Sequence, residues 1–587
     1  MRRTTLSLAS AACALAAALP ARDLRAQNVP GLTVAPCTVP GVEGPARCGT
    51  LEVWENRAAR SGRKIPIRFV VLPATGPSPT RDPIFPIAGG PGQSAVDDMA
   101  GFAAQELAPL RETRDILLVD QRGTGGSNLL KCRFYDPEAD LQAYFGAFYP
   151  ADRVAACAEE WRGKADLAQY TSDPAADDFD EVRAALGYDR LNLYGVSYGT
   201  RAALVYMRRH PDRVRSAILQ GVVPTDTRMP LYTARDAQRA VEGVFSECRA
   251  QAACAAAFPD LPGSLARALG RFAAGPVEVA IMHPRTGDPV RVRLPRDLFV
   301  EGIRYLAYSP HNAALIPAVV HQAGEGDYGP AAEFALSMRR DIVDAGSHGV
   351  YLTITCAEDL PFFTAEEGRR LAEGSFLGDY RVRDQKAACA AWPVPAVSRE
   401  FLGPVASDAP ALLLSGQWDP ATPPEQAERV LRTLRNARHV VVPSAAHGFF
   451  GLTGGPQCAR KLVTDFIRSA DPRGLDASCA DSVRRPPFPT RRLGGTPVTL
   501  PADQLARFAG RYRGENGFAV EIRVEGGRLV QTFPDGRTFT LVPVGPARFR
   551  VAAAPFIAAT FVDEGGRVTG MRIEQGSGEP FTLERVP

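Results

Sequence analysis

The chain has 587 residues, a formal charge of +3 and 45% hydrophobic residues. That length predicts two or three domains, and the apolar content supplies a large core and excludes a mostly disordered protein. The small net charge, with no interleaved basic and aromatic patch, argues against nucleic acid or an anionic membrane as a partner.

The N-terminus carries a targeting pattern over residues 1–26. Arg2 and Arg3 precede the apolar stretch Leu6–Leu19, and small residues offer cleavage after Ala21 or Ala26. The paired arginines fit Sec or twin-arginine export. Cys13 lacks the preceding Leu of a lipoprotein site, so a soluble periplasmic or secreted product is expected. No later stretch is long and apolar enough to span a bilayer. Of the 11 cysteines, ten remain once Cys13 is removed, an even number suited to disulfides in an oxidising compartment. They lie as sequence neighbours: Cys37 and Cys48, Cys132 and Cys157, Cys248 and Cys254, Cys356 and Cys389, Cys458 and Cys479. Sequence does not determine connectivity, and nearest-neighbour pairing is the expectation. No CxxC pair occurs and no histidine lies among them at ligand spacing, so no metal or other cofactor is predicted.

Strand patterns open the mature chain at Thr50–Glu55 and Lys64–Leu72. A third, Pro83–Ala88, runs into Gly89-Gly90-Pro91-Gly92, and a fourth, Ile116–Val119, into Asp120-Gln121-Arg122-Gly123-Thr124-Gly125. A helix is predicted over Ala175–Leu186, with Pro174 in its first turn and Gly187 ending it. Next comes Leu191–Tyr194, a short apolar run, then Gly195-Val196-Ser197-Tyr198-Gly199 and an apolar helix closed by Arg208, Arg209 and Pro211. A further strand follows at Ser216–Val223. Strands alternating with helices predict a largely parallel sheet covered on both faces, hence an α/β core over 27–223.

From 224 to 408 the chain is rich in Ala, Leu and Arg, and a mostly helical cap inserted over the sheet is predicted. The core resumes over 409–480, with strands at Ala411–Ser415 and Val440–Val442. Residues 481–501, rich in Pro, Arg and Gly, read as a linker. Beyond them, 502–587 shows short period-two strands between Gly-Gly, Asp-Gly and Pro turns, the pattern of a small β-domain of barrel or sandwich type.

The chemistry concentrates at Ser197. A sharp strand-to-helix turn needs glycine on either side of its central residue and presents that side chain at the C-terminal edge of the sheet. Serine alone is a weak nucleophile and needs a base held by a carboxylate. In a parallel-sheet hydrolase these follow later strands in the order Ser, Asp, His. Beyond Ala411–Ser415 only His439 and His447 occur. His439 precedes its strand and lies at the wrong end, whereas His447 follows it. Asp419 follows Ala411–Ser415 directly, while Asp408 precedes it. The triad expected is Ser197, Asp419 and His447. The amides of Tyr198 and Gly90 are the oxyanion donors expected, each worth about 3 kcal/mol. Asp120 and Arg122 are expected to form an ion pair bracing the oxyanion loop.

These motifs together resemble the alpha/beta-hydrolase fold, and more narrowly the exported proline iminopeptidase and tripeptidyl aminopeptidase family. The resemblance rests on Gly89–Ser94, Asp120–Gly125 and Gly195–Thr200. Cys248 and Cys254 followed by Ala255–Leu261, Cys356-Ala357-Glu358, and Cys389 with Trp392 reinforce it. It covers about 36–479. One departure is Ala88, where the better-known iminopeptidases have a histidine, which weakens transfer of strict proline specificity. The tail resembles small β-barrel domains appended to bacterial serine hydrolases. The resemblance implies a serine aminopeptidase releasing short N-terminal units from peptides, with cap carboxylates holding the substrate's α-ammonium; Glu358 and Asp359 are the candidates. An esterase of the same fold acting on small esters and a catalytically silent binding module are the alternatives.

Overall fold

The computed structural model describes residues 29–135, 140–344, 346–515, 517–576 and 580–587. The predicted signal segment lies outside the described residues. Nine strands form the central sheet: β1 (Leu32–Cys37), β2 (Ala46–Trp54), β3 (Lys64–Leu72), β4 (Ile84–Ile87), β5 (Ile116–Val119), β6 (Leu191–Val196), β7 (Val214–Gln220), and, after a cap hairpin of β8 (Val277–Met282) and β9 (Pro289–Leu294), β10 (Ala411–Gly416) and β11 (Ala437–Val442). Their order is β1-β2-β3-β5-β4-β6-β7-β10-β11. The first three pair antiparallel, β3 meets β5 antiparallel, and every pairing from β5 to β11 is parallel.

All residues of β4, β5 and β10 are buried, because helices cover both faces; a strand buried twice over is continuously apolar rather than alternating. One face packs against the helices Ser172–Ala185 and Tyr198–Arg209. The other packs against Ala95–Glu106 and Gly455–Ser469. A parallel sheet puts the C-terminal ends of its strands on one edge, so the loops after β4, β6, β10 and β11 converge there. This arrangement positions the site.

The inserted region is mostly helical with its own core, and β8–β9 is the one hairpin in it that the sequence reading did not anticipate. The tail is a closed eight-stranded antiparallel barrel running from Gly510–Arg513 to Phe581–Val586, with its first strand pairing to both the second and the last. Closure removes both free edges. Five disulfides join Cys37–Cys48, Cys132–Cys157, Cys248–Cys254, Cys356–Cys389 and Cys458–Cys479, the nearest-neighbour pairing.

The Pro/Arg/Gly-rich stretch is not a free spacer. Phe488 is buried in the cap core, and its backbone N–H donates to the Gln251 side chain at 3.1 Å. The Leu493 N–H donates to Gln322 at 2.7 Å. An extended chain without strand neighbours must find side-chain acceptors when it is buried, and the cap supplies them. The barrel in turn sits on the cap. Phe556 stacks on Phe334 with ring centroids 5.5 Å apart, and the buried Arg550 pairs with Glu333. Glu333 also accepts the Met282 N–H at 3.1 Å. Burial still holds the Glu333 carboxyl above its ordinary range despite the arginine.

Breaking a buried pair from one side strands a charge, at about 3–5 kcal/mol. Arg550→Met is therefore expected to destabilise the protein by about 3 kcal/mol in urea unfolding, and adding Glu333→Leu to recover most of that loss. A single variant within about 0.5 kcal/mol of the parent would show that the pair does not hold the barrel to the cap.

Candidate active site

Ser197 stands between β6 and the helix Tyr198–Arg209 with φ +57° and ψ −126°. Non-glycine residues avoid positive φ, and strain of this kind persists only where the surroundings impose it. Here they do. A Cβ on Gly199 would lie 2.2 Å from the Ile87 carbonyl oxygen of β4, and one on Gly195 would lie 2.5 Å from the Gly199 oxygen. The glycines let helix, elbow and β4 approach to backbone contact. The Ser197 N–H donates to the Gln220 carbonyl at 2.9 Å, tying the elbow to the end of β7.

Asp419 and His447 follow β10 and β11 on the same edge. The His447 imidazole Nδ1 lies 2.7 Å from Asp419 Oδ2. Asp419 is fully buried, and its Oδ1 accepts the N–H groups of Ala421 and Thr422 at 2.8 and 2.9 Å. Burial alone would raise this carboxyl, but the His447 charge and these donors outweigh it and hold it below its ordinary value. Burial likewise favours neutral imidazole, yet Asp419 prevails and His447 is shifted above 6.5. Gly221, one residue beyond the Ser197 anchor on β7, has His447 Cε1 3.2 Å from where its Cβ would be. The end of β7 thus touches both, through the Gln220 carbonyl at the elbow and Gly221 at the imidazole. Tyr308 of the cap packs against His447: its carbonyl accepts the His447 backbone N–H at 3.0 Å, and its ring meets the imidazole edge-on at 5.2 Å.

Tyr198 opens the elbow helix, where first-turn amides have no intrahelical partner and the helix dipole is positive. Gly90, on the loop after β4, has φ +105°. A Cβ on neighbouring Gly89 would lie 3.2 Å from Ser197 Cβ, so that loop passes directly over the elbow.

Three expectations are revised. Asp120 and Arg122 do not pair. Asp120 accepts from Ser94 Oγ and the N–H groups of Val96 and Gly126 at 2.6, 3.0 and 3.0 Å, whereas Arg122 pairs with Asp178 at 2.6 Å. The two positions, with Gln121 between them, turn to different helices, Ala95–Glu106 and Ser172–Ala185. His439 sits within β11, bonded to Ser415 Oγ at 2.9 Å, and Asp408 pairs with Arg435 on the surface. Glu358 and Asp359 are fully buried rather than open to a cleft. Glu358 accepts the Ser172 N–H at 2.7 Å, Ser172 Oγ at 2.9 Å and Arg201 at 3.4 Å. Asp359 accepts from Arg201 at 2.8 Å. Ser172 Oγ also bonds Tyr198 Oη at 2.8 Å. Burial, only partly offset by Arg201, pushes the Glu358 carboxyl up to about 7. The carboxylates brace the underside of the elbow.

Two residues absent from the sequence reading stand out. Thr422 Oγ1 donates to Asp419 Oδ2 at 2.7 Å and lies 3.1 Å from His447 Nδ1. Its signal was present: Asp followed by Pro and, two positions later, Thr forms an Asx turn. Arg201, four residues beyond Ser197 and ahead of the apolar run Ala202–Met207, announced a buried acidic partner in the same way.

Two family models match the chain: one described as "alpha/beta hydrolase fold" over residues 82–258, and one described as "TAP-like protein" over residues 374–479. The first spans Gly90 and Ser197, the second Asp419 and His447. The chain has the alpha/beta-hydrolase fold. It is similar to the serine protease Hip1 of Mycobacterium tuberculosis, 28% identical over 494 residues, covering 75% of this chain and 88% of that one. It is also similar to the tripeptidyl aminopeptidase of Streptomyces lividans, 25% identical with 74% and 84% coverage, and to carboxylesterase B of M. tuberculosis, 27% identical with 72% and 84% coverage.

A histidine that acts as a base must be neutral, so activity should rise with pH through its pKa. The upward shift places the acid limb of kcat/KM above pH 6.5. Asp419→Asn removes what raises it and leaves burial, so the limb should move to lower pH while kcat falls about 10⁴-fold. Thr422→Val should cut kcat about tenfold, the scale of one charge-assisted hydrogen bond. An unmoved limb in Asp419→Asn would remove His447 as the titrating base.

Proposed function

We propose that this protein is an exported serine hydrolase, and most specifically an aminopeptidase that releases short N-terminal units from peptides through an acyl-enzyme on Ser197. The observation that carries the reading is the strained Ser197 elbow sharing one sheet edge with the Asp419–His447 pair, bonded at 2.7 Å. In this reading Ser197 Oγ attacks the scissile carbonyl while His447 takes its proton. Asp419 holds the imidazole tautomer and stabilises the imidazolium. The amides of Tyr198 and Gly90 receive the negative oxygen of the tetrahedral intermediate. His447 then protonates the departing amine, and water, deprotonated by the same imidazole, cleaves the acyl-enzyme.

The similarity to a serine protease and a tripeptidyl aminopeptidase supports peptides as substrates. Export is supported by five disulfides; no helix among the described residues is long and apolar enough to cross a membrane. An esterase is the second reading. It is favoured by the sealing of Glu358 and Asp359, which leaves neither carboxylate exposed to meet an ammonium group, and by the similarity to carboxylesterase B.

A panel of free and N-acetylated aminoacyl, dipeptidyl and tripeptidyl chromogenic amides, with p-nitrophenyl esters alongside, separates the two. The aminopeptidase reading expects turnover of free-amine amides, strong loss on acetylation, and about 10⁶-fold loss of kcat in Ser197→Ala. Ester turnover with no amide turnover would establish the esterase instead. Glu358→Gln tests the amine role separately. A contact with the ammonium lowers kcat/KM on free-amine peptides by about thirtyfold or more and spares esters, whereas a brace under the elbow lowers both alike.

A further inference from the structure

The cap helix Thr233–Ala250 presents Arg239, Gly243 and Glu247 at spacings of four, on one face. Trp418, the residue before Asp419, lies flat against that face. A Cβ on Gly243 would come within 2.3 Å of the Trp418 ring, so only glycine admits the indole there. Arg239 reaches past the ring to donate to the Gln417 and Asp419 carbonyls at 2.8 and 3.2 Å. One turn further on, Glu247 collects three donors. Its Oε1 accepts Trp418 Nε1–H and Ser444 Oγ–H, each at 2.7 Å. Its Oε2 accepts Nε–H of the buried Arg485.

These three donors come from separate parts of the chain. Trp418 belongs to the loop that carries Asp419. Ser444 belongs to the loop that carries His447 and itself adopts φ +56°, which unconstrained serine avoids. Arg485 belongs to the segment leading to the barrel, and it also donates to the Ser444 and Pro310 carbonyls at 2.8 and 2.9 Å. The loops are cross-tied directly as well. The Ser444 N–H donates to Gln417 Oε1 at 3.0 Å, and the Trp418 N–H to the Ala445 carbonyl at 2.8 Å.

We infer that Glu247 is a positioning residue for the proposed triad: one cap carboxylate sets the spacing between the acid loop and the base loop, and Arg485 locks it in place. The inference rests on the Ser197–Asp419–His447 reading. Glu247 touches no reacting atom. It acts by holding Trp418 and Ser444, and with them the 2.7 Å contact between His447 and Asp419. Catalytic groups lose activity steeply when displaced by fractions of an ångström. The cap is thereby part of the catalytic frame on this side, since Glu247 ties both loops to one helix through their side chains.

The test uses the full-length protein, with active sites counted by a fluorophosphonate probe so that kcat refers to folded, reactive enzyme only. Glu247→Ala is expected to lower kcat per titrated site at least tenfold with KM within twofold. Glu247→Gln, which keeps the Oε1 acceptor for Trp418 and Ser444, should recover most of that loss. A structural role alone would lower the melting temperature and leave per-site kcat unchanged, and that result overturns the inference. If Glu247→Ala does not fold, Trp418→Phe and Ser444→Ala each remove one bond to Oε1. Together they should reduce per-site kcat several-fold, and an unchanged value is again decisive against it. Failure of the triad reading shows differently: Ser197→Ala would retain turnover whatever Glu247 does.

Discussion

The close approach of three backbones at Gly195, Ser197 and Gly199 is the constraint on which the rest of the molecule depends. The Gly199 α-carbon packs on the Ile87 carbonyl with no space for a side chain, and Ser197 is forced to positive φ. Such a conformation costs of order 1–3 kcal/mol and must be over-determined by its neighbours. The neighbours here are β4 and β7, both buried in the middle of the sheet. The strain therefore sits where surrounding structure is least able to relax.

Buried charge is the second theme. Arg201, Glu358 and Asp359 are wholly removed from water directly beneath the elbow, and Arg122 with Asp178 occupies a similar position beneath the loop after β5. Such groups do little for net stability compared with apolar residues of equal size. Their value lies in direction: a saturated carboxylate accepts donors along a few fixed lines, and so orients the backbone that carries those donors. Glu358 orients Ser172, which orients the Tyr198 side chain. Glu247 does the same for the loops across the edge.

The tail and the segment before it extend this logic. A closed barrel has no edge strands to pair with the core, so its attachment comes from side chains: Arg550 on Glu333 and Phe556 on Phe334. The intervening stretch lies along the cap, and its Arg485 joins the network around the base loop. The barrel is thus reached through residues that also touch the frame of the site.

Much of this protein was determined by the sequence alone, because the decisive signals are local. Period-two and continuously apolar runs marked the strands, the Gly-x-Ser-x-Gly elbow pointed to Ser197, and strand order pointed to Asp419 and His447 on one edge, whereas His439, expected before its strand, lies within β11. Each cysteine bridges to its neighbour in sequence, 6 to 33 residues away, so the pairing followed the chain. Tertiary structure alone decided which buried charges face which. Asp120 and Arg122 are two residues apart, yet they turn to Ser94 and Asp178, because neighbouring loop residues project in different directions and their partners come from distant helices. Glu358 carries no local sign of whether it lines a cleft or lies sealed beneath the elbow. That is decided by Arg201 and Ser172, 157 and 186 residues away in the chain, and only packing brings them together.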